Sequence, residues 1–107
     1  MAQHITNSTF KKEVLESAKP VVIDAYASWC GPCQHMAPIF EEVAQAQGDA
    51  CTFFKLNVDE ERELAAHLSI SSIPMFFFFK KGALVDTEGG YMSKADLEAK
   101  VMKLINS

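Results

Sequence analysis

The six residues from Val21 to Tyr26 read Val-Val-Ile-Asp-Ala-Tyr, a near-continuous apolar run. A strand needs such a run when both faces of its sheet are covered, as in a parallel sheet flanked by helices. The rest of the chain supplies matching elements. A short strand near Gln3–Thr6 precedes a helix capped at Ser8 or Thr9, with Phe10, Val14 and Ala18 at helical spacing, ending before Pro20. After Cys33, the residues Met36, Ile39, Phe40 and Val43 share one helical face up to Gly48, with Pro38 inside the pattern as a source of kinking. Cys51–Val58 reads as the next strand, followed by a helix opening at Asp59 or Glu60 with Leu64 and Leu68 inward. Met75–Phe79 and Ala83–Thr87 form a hairpin across Lys80-Lys81-Gly82. Ser93-x-x-Asp96 is a capping box for a last helix carrying Leu97, Val101 and Leu104. The order βαβαβαββα predicts an α/β fold: a mixed, mostly parallel sheet with helices on both faces and one antiparallel hairpin.

A chain of 107 residues suits one domain, residues 1–107. With 49% hydrophobic and 22% charged residues it has the composition of a packed globular protein. The formal net charge of -4, without clustered Lys and Arg, argues against nucleic-acid binding. No basic stretch leads into an apolar one at the start. The longest apolar run, Ile73 to Phe79, is far below the roughly 20 residues a membrane-spanning helix needs. Three cysteines are too few and too odd for a disulfide framework. The expectation is therefore a cytoplasmic protein, where a close cysteine pair is catalytic or metal-binding.

That pair is Cys30-Gly31-Pro32-Cys33, placed between the apolar strand and a helix. The first thiol then sits over the unpaired N–H groups and positive dipole end of the helix, which stabilise a thiolate. The thiolate is the attacking species. Cys33, one turn on and less exposed, is positioned to attack a mixed disulfide formed at Cys30. Gly31 and Pro32 permit the tight turn. The competing reading is zinc, which normally takes four ligands. Cys51, His35 and His67 are left to complete such a set, without a second paired motif. No bound metal or cofactor is expected: the redox group is the cysteine pair.

Asp24 is out of place in its apolar run. A buried carboxylate has its pKa pushed up, and one behind a dithiol can take the proton Cys33 must lose. Lys55, on one strand face with Phe53 and Cys51, is its candidate partner. Alternatively, Lys55 snorkels and the strand reaches solvent at Asp24. Pro74 is tolerated as a strand's first residue, or it forms a cis bond after Ile73 that shapes a groove.

From Asp24 through Trp29-Cys30-Gly31-Pro32-Cys33 to Ala37-Pro38, the chain resembles the thioredoxin family. So do Lys55-Leu56-Asn57-Val58-Asp59, Ile73-Pro74, Phe79-Lys80-Lys81-Gly82 and Gly90, in the family's order along the chain. The resemblance implies a thioredoxin fold, five strands flanked by about four helices, and a protein-disulfide reductase. It implies Cys30 as nucleophile, Cys33 as resolving thiol, Asp24 and Lys55 as the buried acid and its lysine, and Pro74 as the cis-proline. Trp29, Ile73, Gly90 and Tyr91 would line the substrate groove. An NADPH-dependent thioredoxin reductase would supply electrons to a monomer acting on protein disulfides. The Gly-Pro dipeptide resembles reducing members of the family. Three positions depart from its pattern: Gln34 in place of a cation, Met75 in place of threonine, and Tyr91 in place of a small residue. A binding subunit or chaperone of the same fold, with incidental redox activity, is the alternative. Cys51 reads as a small buried hydrophobe, the four phenylalanines as core, Lys80-Lys81 as gatekeepers, and His4 and His67 as surface.

Overall fold

The computed structural model describes residues 2–107; Met1 lies outside the described residues. Along the chain run β1 (Gln3–His4), a short helix (Lys11–Leu15), β2 (Val21–Tyr26), α1 (Gly31–Gln47) and β3 (Thr52–Asn57). α2 (Arg62–His67), β4 (Met75–Lys80), β5 (Ala83–Gly89) and α3 (Lys94–Asn106) complete it. The expected alternation of strands and helices is present. The strands form one sheet in the order β1-β3-β2-β4-β5. β3 is parallel to both β1 and β2, whereas β4 is antiparallel to β2 and to β5. The sheet is mixed, with more antiparallel pairing than strand–helix alternation suggests. After α2 the chain returns at the C-terminal end of β2, with Met75 opposite Ala25, so β4 leaves in the reverse direction.

β2 lies in the middle of this sheet, and its apolar run is covered on both faces. On one face Val22 packs with Met36, Phe40 and Val43 of α1 and with Leu97, Val101 and Leu104 of α3. On the other, Ile23 and Ala25 pack with Phe10, Val14 and Leu64. The four phenylalanines of β4 divide by the two-residue period of a strand: Phe76 and Phe78 face α1 and α3, Phe77 and Phe79 the opposite layer. Each such ring, taken out of water, contributes roughly 1.5–3 kcal/mol.

The local departures have local causes. The first helix starts later than expected, at Lys11, and its N-cap Phe10 makes no side-chain cap bond. The turn ahead of it is closed by reciprocal bonds, Thr6 N–H to Thr9 Oγ1 (3.1 Å) and Thr9 N–H to Thr6 Oγ1 (3.2 Å). It widens at its end, where Glu16 N–H reaches Lys11 O. Ala18 is exposed beyond it, because Ser17 Oγ bonds both Lys19 N–H and Lys19 O and turns the chain. α2 starts at Arg62, after the expected Asp59 or Glu60, because Asn57 Oδ1 takes both of those backbone N–H groups into a turn. The β4–β5 turn has positive φ at Lys81 (52°) and Gly82 (79°), as a two-residue type I′ connection requires. A Cβ at Gly82 would meet Leu15 O at 2.6 Å. Ser93 caps α3 as expected, accepting from Asp96 N–H at 3.1 Å. Lys80 does more than guard a strand end. Its ammonium donates to Leu104 O (3.1 Å) and Ile105 O (3.2 Å), satisfying carbonyls at the end of α3.

Candidate active site at the Cys30–Cys33 disulfide

β2 ends at Tyr26, and the short Ala27–Trp29 loop delivers Cys30 to the N-cap of α1 with extended backbone (φ -89°, ψ 114°). Pro32 follows in the first turn, where a missing N–H costs no helical bond. Cys30 and Cys33 are joined as a disulfide, their Cα atoms 5.2 Å apart. Cys33 N–H donates to Cys30 Sγ at 3.2 Å, so the sulfur occupies the place a capping oxygen would. Charge on this sulfur, once the pair is reduced, meets an N–H donor and the positive end of a 17-residue helix. The cysteines differ little in exposure, 5% for Cys30 and 4% for Cys33, contrary to the expected contrast. The disulfide holds both sulfurs in one buried cluster, and their surroundings distinguish them. Cys30 Sγ lies 4.0 Å from Ile73 O, on the outer side. Cys33 lines an inner cavity with Asp24.

That cavity, of about 110 Å³, is also lined by Ser28, Gln34, Tyr26 and Lys55. Asp24 is 1% exposed, and its Oδ1 has no hydrogen-bond partner. Burial pushes its carboxyl up to about 7, while the positive charge of Lys55 pulls it down and the negative charge of Glu41 pushes it up. Asp24 and Lys55 are register partners across β2 and β3. They do not close into an ion pair: Lys55 Nζ sits 4.7 Å above the Tyr26 ring. Lys55 therefore acts on Asp24 through space.

Around the disulfide, Trp29 is 70% exposed, and its indole N–H donates to Asp59 Oδ2 at 2.8 Å. The Ile73–Pro74 peptide bond is cis. Gly90 N–H donates to Pro74 O at 2.9 Å, which draws the segment after β5 beside Pro74. Tyr91, 55% exposed, shares a shallow cleft of about 400 Å³ with Pro32 and His35. Tyr91 therefore stands beside the first turn of α1. Sequence reasoning missed Asp59 and the Ser28 carbonyl, which accepts from Gln34 Nε2 at 2.9 Å. Neither carries a local signal, since each is defined by its partner's position. Among the described residues, no group of three or more His, Cys, Asp and Glu side chains stands ready to hold zinc. Cys51 is buried in the α1–α3 core with its thiol pushed up to about 12 by burial, and His67 packs against Phe10 on the other face of the sheet. Among the described residues, no helix is long and apolar enough to cross a membrane.

The family model described as Thioredoxin matches residues 1–103. "Thioredoxin 1" of Synechococcus elongatus is 44% identical over 97 residues, covering 91% of each chain. "Thioredoxin" of Mycoplasmoides gallisepticum is 44% identical over 96 residues, 90% of this chain and 95% of that one. "Thioredoxin" of Alicyclobacillus acidocaldarius is 42% identical over 101 residues, 94% of this chain and 95% of that one. Likeness over the whole fold coincides with a cysteine pair already at disulfide distance on a helix N-cap, its own redox centre without a bound cofactor. The chain belongs to the thioredoxin family and is a thiol–disulfide oxidoreductase.

Proposed function

We propose that the chain reduces protein disulfides with Cys30 as the attacking thiolate, Cys33 as the resolving thiol and Asp24 as the proton acceptor behind it. In the reduced protein, Cys30 thiolate attacks one sulfur of a substrate disulfide. That bond breaks, the other substrate sulfur leaves and takes a proton, and a mixed disulfide remains. Cys33 gives its proton to Asp24 and attacks Cys30 Sγ, releasing the second substrate sulfur. Two electrons have passed to the substrate, and the Cys30–Cys33 disulfide has formed. An NADPH-dependent thioredoxin reductase returns two electrons. The observation that carries the reading is the Cys33 N–H donated to Cys30 Sγ at the helix N-cap, which favours charge on that sulfur over its neighbour. A base with its midpoint near 7 is matched to proton transfer at neutral pH.

Trp29, Ile73, Pro74, Gly90 and Tyr91 form the face that receives the substrate, Gly31 and Pro32 hold the turn, and Lys55 tunes Asp24. The chain acts as a cytoplasmic monomer, one domain over residues 1–107. Coupled turnover tests this: NADPH, a thioredoxin reductase, the chain and a disulfide-bonded protein. NADPH consumption that depends on the chain and on both cysteines supports the reading. A chain that is itself reduced but passes no electrons to any protein disulfide overturns it in favour of a binding subunit.

A further inference from the structure

The cavity that joins Asp24 to Cys33 has an inner and an outer wall. Asp24 and Cys33 are buried, Tyr26 and Lys55 are half-buried, and Ser28 and Gln34 are exposed. The two exposed residues are tied to each other: Gln34 Nε2 donates to Ser28 O at 2.9 Å across six positions of sequence. This hydrogen bond links the first turn of α1 to the loop ahead of Cys30, so the Gln34 side chain on the Ser28 carbonyl forms part of the outer lining of the cavity. Inside, Asp24 Oδ1 is buried without a partner. A cavity of about 110 Å³ exceeds what one water needs. Water admitted past Gln34 would enter a cavity that Asp24 lines.

We propose that Gln34 is a positioning residue for the exchange reaction: its bond to Ser28 latches the outer mouth of the Asp24–Cys33 cavity and sets how readily solvent reaches Asp24. The inference rests on the reading of Asp24 as proton acceptor. With the latch closed, Asp24 stays buried and its carboxyl holds a proton up to neutral pH. With it open, water stabilises the carboxylate, and the base becomes weaker and more accessible. The charged and titratable groups around Asp24 are Lys55 on β3, Glu41 and Cys33 on α1, and Tyr26 on β2 itself. β4 contributes the apolar register partner Phe76. Gln34 is uncharged, so its effect comes through access and not through field.

The test uses Gln34→Ala, which opens the mouth, and Gln34→Met, which fills similar space without a donor. The Asp24 carboxyl is titrated by carbon NMR, and the rate of mixed-disulfide resolution is followed against pH. The expected result is a fall of the Asp24 midpoint by about one pH unit in Gln34→Ala, as relieved desolvation gives, and a smaller fall in Gln34→Met. The pH profile of resolution should move by the same amount. Folded variants with an unmoved Asp24 midpoint overturn the latch, whatever their rates, and leave Gln34 an anchor of the loop. A midpoint that falls while the profile of resolution stays put supports the latch and overturns Asp24 as the proton acceptor.

Discussion

Asp24 and Lys55 face each other in register across β2 and β3, yet the ammonium rests 4.7 Å above the Tyr26 ring and the carboxyl keeps an unpartnered oxygen. A closed ion pair would stabilise the carboxylate. The open arrangement leaves burial as the dominant influence, which is why the carboxyl is pushed up to about 7.

Asp24→Asn should stabilise the fold, and the pH at which it does so is set by the sign of the shift. The carboxyl titrates near 3.8 when unfolded and near 7 when folded. Below the lower value both states are protonated, and the buried acid costs nothing extra. Between them the cost grows, and above the higher value it is complete. Urea unfolding should show a gain of roughly 2–4 kcal/mol at about pH 8, shrinking toward zero at about pH 4. A gain that does not depend on pH would contradict it.

Lys55→Met removes the charge that pulls the Asp24 carboxyl down. Its folded midpoint should therefore rise above about 7, read by carbon NMR of the carboxyl. The pH profile of mixed-disulfide resolution should move to the alkaline side with it. A lowered or unchanged midpoint would mean that Lys55 does not act on Asp24 through space.

Much of this site is legible in the sequence because it breaks a local pattern. Asp24 interrupts an apolar run, Cys30 and Cys33 stand at a strand–helix junction, and Ser93 stands three residues before Asp96. The alternating Phe76–Phe79 core and the Lys80–Gly82 turn follow from strand period and turn chemistry in the same way. What the sequence leaves hidden depends on how the chain returns. The reversed direction of β4 is decided by where α2 hands over, and the Trp29–Asp59 bond joins residues 30 positions apart. Lys80 reads as a solvated end of a strand until α3 ends above it. The equal shielding of Cys30 and Cys33 is likewise a property of the disulfide rather than of their spacing.

Gly82→Ala should destabilise the protein without altering the site. The residue holds φ at 79°, and an added Cβ would stand 2.6 Å from the backbone carbonyl oxygen of Leu15. Strain and the clash together should cost about 1–3 kcal/mol in urea unfolding. A loss below the error of the measurement would show that the turn relaxes freely.

Tyr91→Ala should separate large from small substrates. Its ring is 55% exposed and shares a cleft with Pro32 and His35 beside the disulfide. Removing it should change kcat/KM for a bulky protein disulfide by about tenfold, with little change for a small disulfide. Equal effects on both substrates would remove Tyr91 from the receiving face.

The division of labour between the two cysteines is tested most directly by trapping. Cys30→Ser and Cys33→Ser are each incubated with a disulfide-bonded protein, and covalent adducts are separated without reductant. Cys30 Sγ sits at the helix N-cap and accepts the Cys33 N–H, while Cys33 lines the inner cavity with Asp24. The account predicts that Cys33→Ser accumulates mixed disulfides through Cys30, and that Cys30→Ser neither reduces the substrate nor forms adducts. Adducts through Cys33 in the Cys30→Ser protein, with none in Cys33→Ser, would contradict it.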